Sequence, residues 1–325
     1  MTVSIFIPTY NSGSFLSATL DSLISQTYND IEILCVDDGS TDNTIQILKS
    51  YSQKDSRIKY FVKKNEGSVP FSWNYVFPYI HGEFTLYMSH DDILESDAIE
   101  KLVEKQKKEP DIDCVIPSLV FFETDFNNPE ECYHSKNVKG ELGSHKTVIG
   151  IAAFDEMLDY SIPGFALWRT ELIRHIGMPT ESFNSDECMQ RIWARNCRKV
   201  AFSDAKFGYR QTSNSIVKGL KPYHYFSIAT NLRIYKELMG VNQIEKKRKR
   251  YIQYKFYESL YYLDACYRKN KNSFSREDQK RYENISQESY SILKKGLRCP
   301  CSVKGVLMKL SACNILLYKL ILYLV

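Results

Sequence analysis

Tyr87-Met88-Ser89-His90-Asp91-Asp92 carries an apolar run, Phe84 to Met88, straight into two adjacent carboxylates. Like charges side by side repel unless a cation sits with them, and a divalent cation with bound phosphates is the commonest such partner. A second pair, Asp37-Asp38, ends another apolar run, Ile31 to Val36, and is followed by Gly39-Ser40. Each pair alone also reads as a turn with a helix cap. Two strands that both stop in acid pairs point further, to one polar crevice at the carboxyl edge of a sheet, where open α/β folds bind ligands.

The chemistry open to that crevice is carboxylate chemistry. Asp37 could accept hydrogen bonds from a base or a ribose. Asp91 and Asp92 sit on a turn, where neighbours point differently, so one can hold a ribose hydroxyl while the other binds a metal. Magnesium and manganese take a few carboxylates plus substrate phosphate oxygens, and such an ion stabilises a departing diphosphate as a Lewis acid. No Gly-x-Gly-x-x-Gly follows the first apolar run, and there is no Gly-Lys-Ser/Thr phosphate loop and no Gly-x-Ser-x-Gly elbow. Dinucleotide oxidoreductases, P-loop nucleotidases and α/β hydrolases are therefore disfavoured.

The elements that must position these residues alternate. Strands are expected at 2–8, 31–36, 58–62, 83–88 and 112–117, with helices near 14–26, 42–53, 69–80 and 96–108. Asp42 and Ser96 are the expected N-caps of the second and fourth helices. Alternating β and α implies a mainly parallel sheet flanked by helices. Residues 123–146 read as a long polar loop, a type that often serves as a lid or binding element. A helix over 186–197 and a strand over 199–203 follow. After Pro222 the pattern is helical throughout, near 222–239, 243–269, 275–295 and 303–324.

The chain has 325 residues, 43% hydrophobic and 25% charged, enough for a sizeable core in one large domain or two smaller ones. Aromatic content is 13%, with 23 tyrosines, which suits either sugar-handling clefts or helical surfaces. Charge divides unevenly: residues 221–325 hold 21 Lys+Arg against 8 Asp+Glu, and the preceding 220 residues hold 22 against 31. The acidic part can gather metal, and the basic part can face anionic lipid, a polyphosphate or nucleic acid. Glu245-Lys246-Lys247-Arg248-Lys249-Arg250 fits a membrane contact and a solvated helix face equally. The apolar stretch Val306 to Val325 is interrupted by Lys309, Asn314 and Lys319, which favours an interfacial or buried helix over a spanning one. No signal peptide is visible, and nine scattered cysteines fit a reducing cytosol. Cys299-Pro300-Cys301 has no further ligands nearby that would make a zinc site.

Ile5-Phe6-Ile7-Pro8-Thr9-Tyr10-Asn11, Leu20 to Thr27, and Glu32 through Asp42 together resemble the opening of family 2 glycosyltransferases of the GT-A fold. Asn65-Glu66-Gly67 and Ser72-Trp73-Asn74 resemble the next block, and Gly82-Glu83-Phe84 through Asp91-Asp92 the metal-binding block. The resemblance covers roughly residues 2–215. It implies a GT-A catalytic domain over 1–220, with 221–325 as a helical extension for membrane association or dimerisation. It implies a nucleotide-sugar donor, usually a UDP-sugar, and Mn²⁺ or Mg²⁺. Pro8, Thr9, Tyr10, Asn11, Asn65 and Gly67 match the donor pocket, Asp37 the base contact, Asp91 a ribose or diphosphate position and Asp92 the metal ligand.

Family members of this type invert the anomeric centre and need a carboxylate at the acceptor hydroxyl. Asn184-Ser185-Asp186-Glu187 resembles the family's acidic block, and spacing to Lys199-Val200 puts Asp186 on the base position with Glu187 as fallback. Tyr209 to Ser215 resembles a loop near the diphosphate, in which Arg210 could clamp phosphate. Phe165 and Trp168 suit the core or an acceptor site. The chain departs from the family at Trp73, where arginine is common, at Ser89, where an acid is common, and at Ser96, where proline is frequent. His90 reads as a spectator. The expected protein is a cytoplasmic transferase at the inner face of a membrane, acting on a glycan or lipid-linked saccharide in surface polysaccharide synthesis, with no nucleic-acid partner. A homodimer through the helical extension is open. The alternatives are a nucleotidyltransferase that makes nucleotide sugars and a non-catalytic protein that binds them.

Overall fold

The computed structural model describes residues 1–182, 184–212 and 222–296. The chain divides into two compact units, one of Met1–Thr180 with Met189–Lys218, the other of Glu181–Cys188 with Gly219–Val325. The expected apolar helix 303–324, the Cys299–Cys301 pair and residues 213–215 lie outside the described residues.

The first unit is built on a nine-stranded sheet. Strands β1 (Val3–Thr9) and β2 (Ile31–Asp37) are buried along their whole length. That is why they read as unbroken apolar runs, since a parallel strand covered on both faces has no polar side to show. β3 (Ile58–Val62) and β4 (Phe84–Tyr87) complete a parallel set in the order β3-β2-β1-β4. Between them run α1 (Leu16–Ile24), α2 (Thr44–Lys54) and α3 (Val69–Val76). α1 buries Leu16, Thr19, Leu20 and Leu23, the one-face spacing of an amphipathic helix.

Beyond β4 the sheet turns mixed. After the short β5 (Ile93–Leu94) come α4 (Ala98–Lys107), the long β6 (Ile112–Phe122), β7 (Val148–Ile149), α5 (Gly150–Met157), β8 (Leu167–Arg169), α6 (Thr170–Ile176), α7 (Ser185–Asn196) and β9 (Lys199–Arg210). The path continues β4-β8-β6-β9-β5, with β7 on β9. β8 enters antiparallel between β4 and β6, whereas β6 and β9 pair in parallel over most of their length. The antiparallel pairings join two or three residues each, so most of the paired length is parallel. Pro117 falls at a register shift of the β6–β9 ladder, where its missing N–H removes no regular bond.

Both expected caps move by one residue. Asn43 and Asp97 occupy the N-cap positions of α2 and α4. Asp42 still receives the Thr44 amide at 3.0 Å, from just ahead of the helix, and also takes the Gly13 amide at 3.0 Å. Segment 123–147 holds no helix or ladder strand, and it is pinned to the body. Tyr133 bridges Phe121, the His134 ring nitrogen Nδ1 lies 2.8 Å from the Leu119 carbonyl, and the Leu142 amide donates to Ser118 Oγ at 2.8 Å.

The second unit is helical. α8 (Ser227–Met239), α9 (Lys246–Asn270) and α10 (Arg276–Gly296) surround an aromatic core of Tyr225, Phe226, Tyr235, Tyr257, Tyr267, Phe274 and Tyr282. Tyr267 and Tyr282 stack with centroids 4.1 Å apart. Much of the tyrosine content therefore fills helix packing, one of the two roles open to it in the sequence. Among the described residues, no helix is long and apolar enough to cross a membrane.

Candidate active site

The chain leaves β1 toward β2 and β3 on one side and comes back on the other side as β4. The carboxyl ends of β1 and β4 thus flank the point where strand order reverses, the usual ligand crevice of such sheets. Register brings the acid pairs to this edge. Thr9 faces Asp37 across β1 and β2, and the Asp38 amide donates to the Thr9 carbonyl at 2.8 Å. On the other side Phe6 faces Tyr87, and the Met88 amide reaches the Phe6 carbonyl at 3.2 Å. The two acid pairs thus follow the strands on either side of β1, Asp37-Asp38 at the end of β2 and Asp91-Asp92 in the turn after β4.

Asp37 and Asp38 build the floor of this edge. Asp37 is fully buried, and its oxygens accept from Thr9 Oγ1 at 3.3 Å, the Ser40 amide at 2.9 Å and Ser40 Oγ. Asp38 pairs with Lys63 and takes the amides of Glu66 at 3.1 Å and Gly67 at 3.2 Å, which ties the loop after β3 to the end of β2. Gly39 adopts φ +74°, and a Cβ there would stand 3.1 Å from the Asn65 amide nitrogen, so the two loops approach too closely for a side chain. Asn11, at φ 48°, donates its amide to Ser40 Oγ at 2.8 Å and accepts the Thr41 amide at 2.8 Å. Pro8, Thr9 and Asp37 are thus buried, whereas Tyr10, Asn11, Asn65 and Gly67 stand exposed at the rim. Asp37 braces the turn after β2 through Thr9 and Ser40, and Tyr10, 48% exposed, presents its ring at the rim. Lys63, which neutralises Asp38, escaped the sequence reading because a lysine at a strand end looks like any surface cation.

The second pair lies in the turn between β4 and β5. Asp91 is half-buried. Asp92 is fully buried, and its oxygens accept the amides of Ser89 at 3.1 Å and Arg210 at 3.3 Å. Burial, and next the Asp91 charge, push the Asp92 carboxyl well above the usual carboxylate range, against the two amides and the Arg210 charge. Arg210 ends β9. Its Nε donates to the Asp91 carbonyl at 2.9 Å and its Nη1 to the carbonyls of Glu123 and Thr124 at 3.1 and 3.0 Å. Its guanidinium carbon lies 4.4 Å from the Phe122 ring centroid and 5.0 Å from that of Phe15. Burial pulls the Arg210 pKa below its ordinary value, against the Asp91 and Asp92 charges. Through Nε and Nη1, Arg210 braces the acidic turn and the end of β6. Its partners Phe15 and Phe122 carry no sequence signal beyond being aromatic.

Among the described residues no three or more His, Cys, Asp or Glu side chains form a metal cage. A site of one or two carboxylates completed by substrate phosphates is what magnesium and manganese accept. Burial raises the Asp92 carboxyl first and the Asp91 charge beside it second, and a cation placed between the two would offset both costs of ionising it. The pair fits a divalent ion bound together with a diphosphate, with Asp91 the more accessible group.

The remaining expected residues fall in three places. Asp186 and Glu187 form the first turn of α7, both half-buried, and belong to the second compact unit. Trp73 is fully buried among Phe6, Phe77, Tyr87 and Trp193, so the departure from arginine fills core rather than the crevice. Trp168 packs on Trp193 in the same core, and Phe165 stacks between Tyr87 and Phe207. His90 is half-buried, and its carbonyl accepts from Thr19 Oγ1 at 2.8 Å.

Residues 4–177 match the glycosyl transferase family 2 model. Glycosyltransferase GlyG of Streptococcus pneumoniae is 27% identical over 220 residues, covering 66% of this chain and 73% of that protein. Chondroitin synthase of Escherichia coli is 33% identical over 113 residues, 35% of this chain but only 16% of the synthase. Among solved structures, S. aureus TarS 1–349 in complex with UDP superposes with a TM-score of 0.66 at 18% identity, covering 98% of this chain and 89% of that one. A mannosyltransferase from Pyrobaculum calidifontis, in complex with GDP-Man and Mn²⁺, gives 0.54 at 14% identity, covering 98% and 86%. At such identities the structural likeness speaks for the fold alone, and that fold is GT-A. With its family model spanning more than half of the sequence, the chain belongs to the family 2 glycosyltransferases.

Proposed function

We propose that the protein moves a sugar from a nucleotide-sugar donor, a UDP-sugar, to a hydroxyl of a glycan or lipid-linked saccharide, with inversion at the anomeric carbon, in surface polysaccharide synthesis. The observation that carries this is the convergence of two acid pairs on either side of β1 at the sheet's switch point. Tyr10 offers its exposed ring to the base, with Asn11, Asn65 and Gly67 along the rim of the donor site. The Asp91–Asp92 pair would hold Mn²⁺ or Mg²⁺ together with the diphosphate, Asp92 being buried and Asp91 the more open of the two. When bound, that ion offsets the charge of the leaving nucleoside diphosphate. Arg210 keeps the acidic turn in place through the Asp91 carbonyl.

Asp186, or Glu187 in its stead, takes the proton of the acceptor hydroxyl as that oxygen bonds to the anomeric carbon and the bond to the diphosphate breaks. Both carboxylates stand in the first turn of α7, side by side at the start of one helix. The work site is the cytoplasmic face of a membrane, where lipid-linked acceptors are held. The likeness to a glycosyltransferase of Streptococcus pneumoniae and to solved structures holding UDP and GDP-Man supports this reading.

Thermal unfolding with a panel of nucleotide sugars, with and without Mn²⁺, tests it. One UDP-sugar should raise the midpoint, and more so with the ion, because a ligand stabilises in proportion to its binding. Equal midpoints across the panel under both conditions would sink the donor assignment.

A further inference from the structure

α9 of the second unit buries Ile252, Tyr257, Leu260, Leu263 and Tyr267 along one face, at the spacing of a helix packed on one side. The opposite face carries Lys247, Tyr251, Lys255 and Tyr262, at steps of four, four and seven residues that set them in one row. Lys247, Arg250 and Lys255 are exposed, as are Tyr251 at 49% and Tyr262 at 57%. The Lys255 ammonium and the Arg248 guanidinium each lie 5.9 Å from the centroid of the Tyr251 ring. The helix holds eight lysines and arginines against Glu258 and Asp264, and Asp264 is buried. Glu258 receives the Lys255 ammonium at 3.2 Å, and over the whole helix the cations still outnumber the acids.

A merely solvated face has no need of large rings in register with cations of one sign. Tyrosine rings settle at the headgroup level of a bilayer, with apolar body inward and hydroxyl in water. Lysine and arginine lay their stems along apolar surface and hold the charge outward. We propose that this face of α9 docks on an anionic lipid surface. The positive charge of the face is complementary to acidic phospholipid headgroups, and attraction of this kind adds per basic residue. This docking rests on the proposed work site at a membrane and names the face that meets it. Vesicle binding needs neither donor nor metal, so its failure and the failure of the transfer reading are separately visible.

The test is co-sedimentation of the full chain with vesicles of phosphatidylcholine alone or mixed with phosphatidylglycerol. Binding is expected to the mixed vesicles only and to weaken as salt rises. The combined variant Lys247→Glu, Arg250→Glu, Lys255→Glu should lose affinity for them by roughly 100-fold or more. Lys247→Arg with Lys255→Arg should bind as the wild type does, and unchanged urea midpoints establish that both variants are folded. The proposal is overturned if the charge-reversed variant binds like the wild type, or if neutral vesicles bind equally well. It is also overturned if the protein is retained on a single-stranded oligonucleotide but not on acidic vesicles.

Discussion

Arg210 Nε donates to the main-chain carbonyl of Asp91 at 2.9 Å, so the cation nearest the acidic turn grips its backbone. The same guanidinium reaches the carbonyls of Glu123 and Thr124, joining the end of β9, the end of β6 and the turn after β4. Nε and Nη1 are thereby committed to main-chain carbonyls.

Arg210→Ala is therefore expected to cost about 3 kcal/mol in urea unfolding, since it strips charge-assisted bonds from three carbonyls. Turnover at saturating donor should fall with it. Arg210→Lys should recover part of both, because one ammonium cannot span the three acceptors. A variant with an unchanged unfolding midpoint and only a raised KM for the donor would restore the clamp.

Asp91→Asn should lower metal-dependent transfer by at least about a hundredfold, the scale of a lost Lewis-acid contact, with little change in stability. Asp92→Ala should lose activity and also about 1–3 kcal/mol of stability, because the Ser89 and Arg210 amides would be left without their acceptor. Transfer assays across a Mn²⁺ titration, with urea melts alongside, separate the two effects. Equal stability losses in both variants would count against the division of labour between these neighbours.

Asp186→Asn should bind UDP as the wild type does and transfer about 10²–10⁴-fold more slowly, the range of a lost general base. Isothermal titration with UDP and a single-turnover assay read the two quantities. Retained transfer would remove the base from Asp186 and move the question to Glu187.

Asp113 offers a pH signature away from the crevice. It receives Arg169 Nε at 2.6 Å, the Arg198 amide at 2.8 Å and Arg198 Nε at 2.9 Å, which ties β6 to β8 and to the start of β9. Burial pushes its carboxyl up, but the bonds from Arg198 and Arg169 outweigh burial and leave it below the ordinary range. A depressed folded pKa adds stability that is complete above the unfolded carboxylate's value of about 3.9 and is lost as pH falls through the folded value. Urea midpoints should therefore drop on acidification below that point, and less steeply in Asp113→Asn. Parallel curves for the two proteins would contradict this account.

Local chemistry settled much of this protein in advance. The apolar runs of β1, β2 and β4, the one-sided spacing of α1 and the acid pairs that follow β2 and β4 are properties of short segments, so the parallel half of the sheet and its polar edge could be read from the chain directly. Packing decided the rest. β8 slots antiparallel between β4 and β6, a partnership between distant segments that no local pattern encodes. Asp91 and Asp92 are adjacent and chemically identical, yet one is half-open and the other sealed, because burial depends on what the turn folds against. Arg210 became a brace and Trp73 a core residue for the same reason. A side chain's type sets which interactions it can make, but only the surrounding fold determines which partners come within reach.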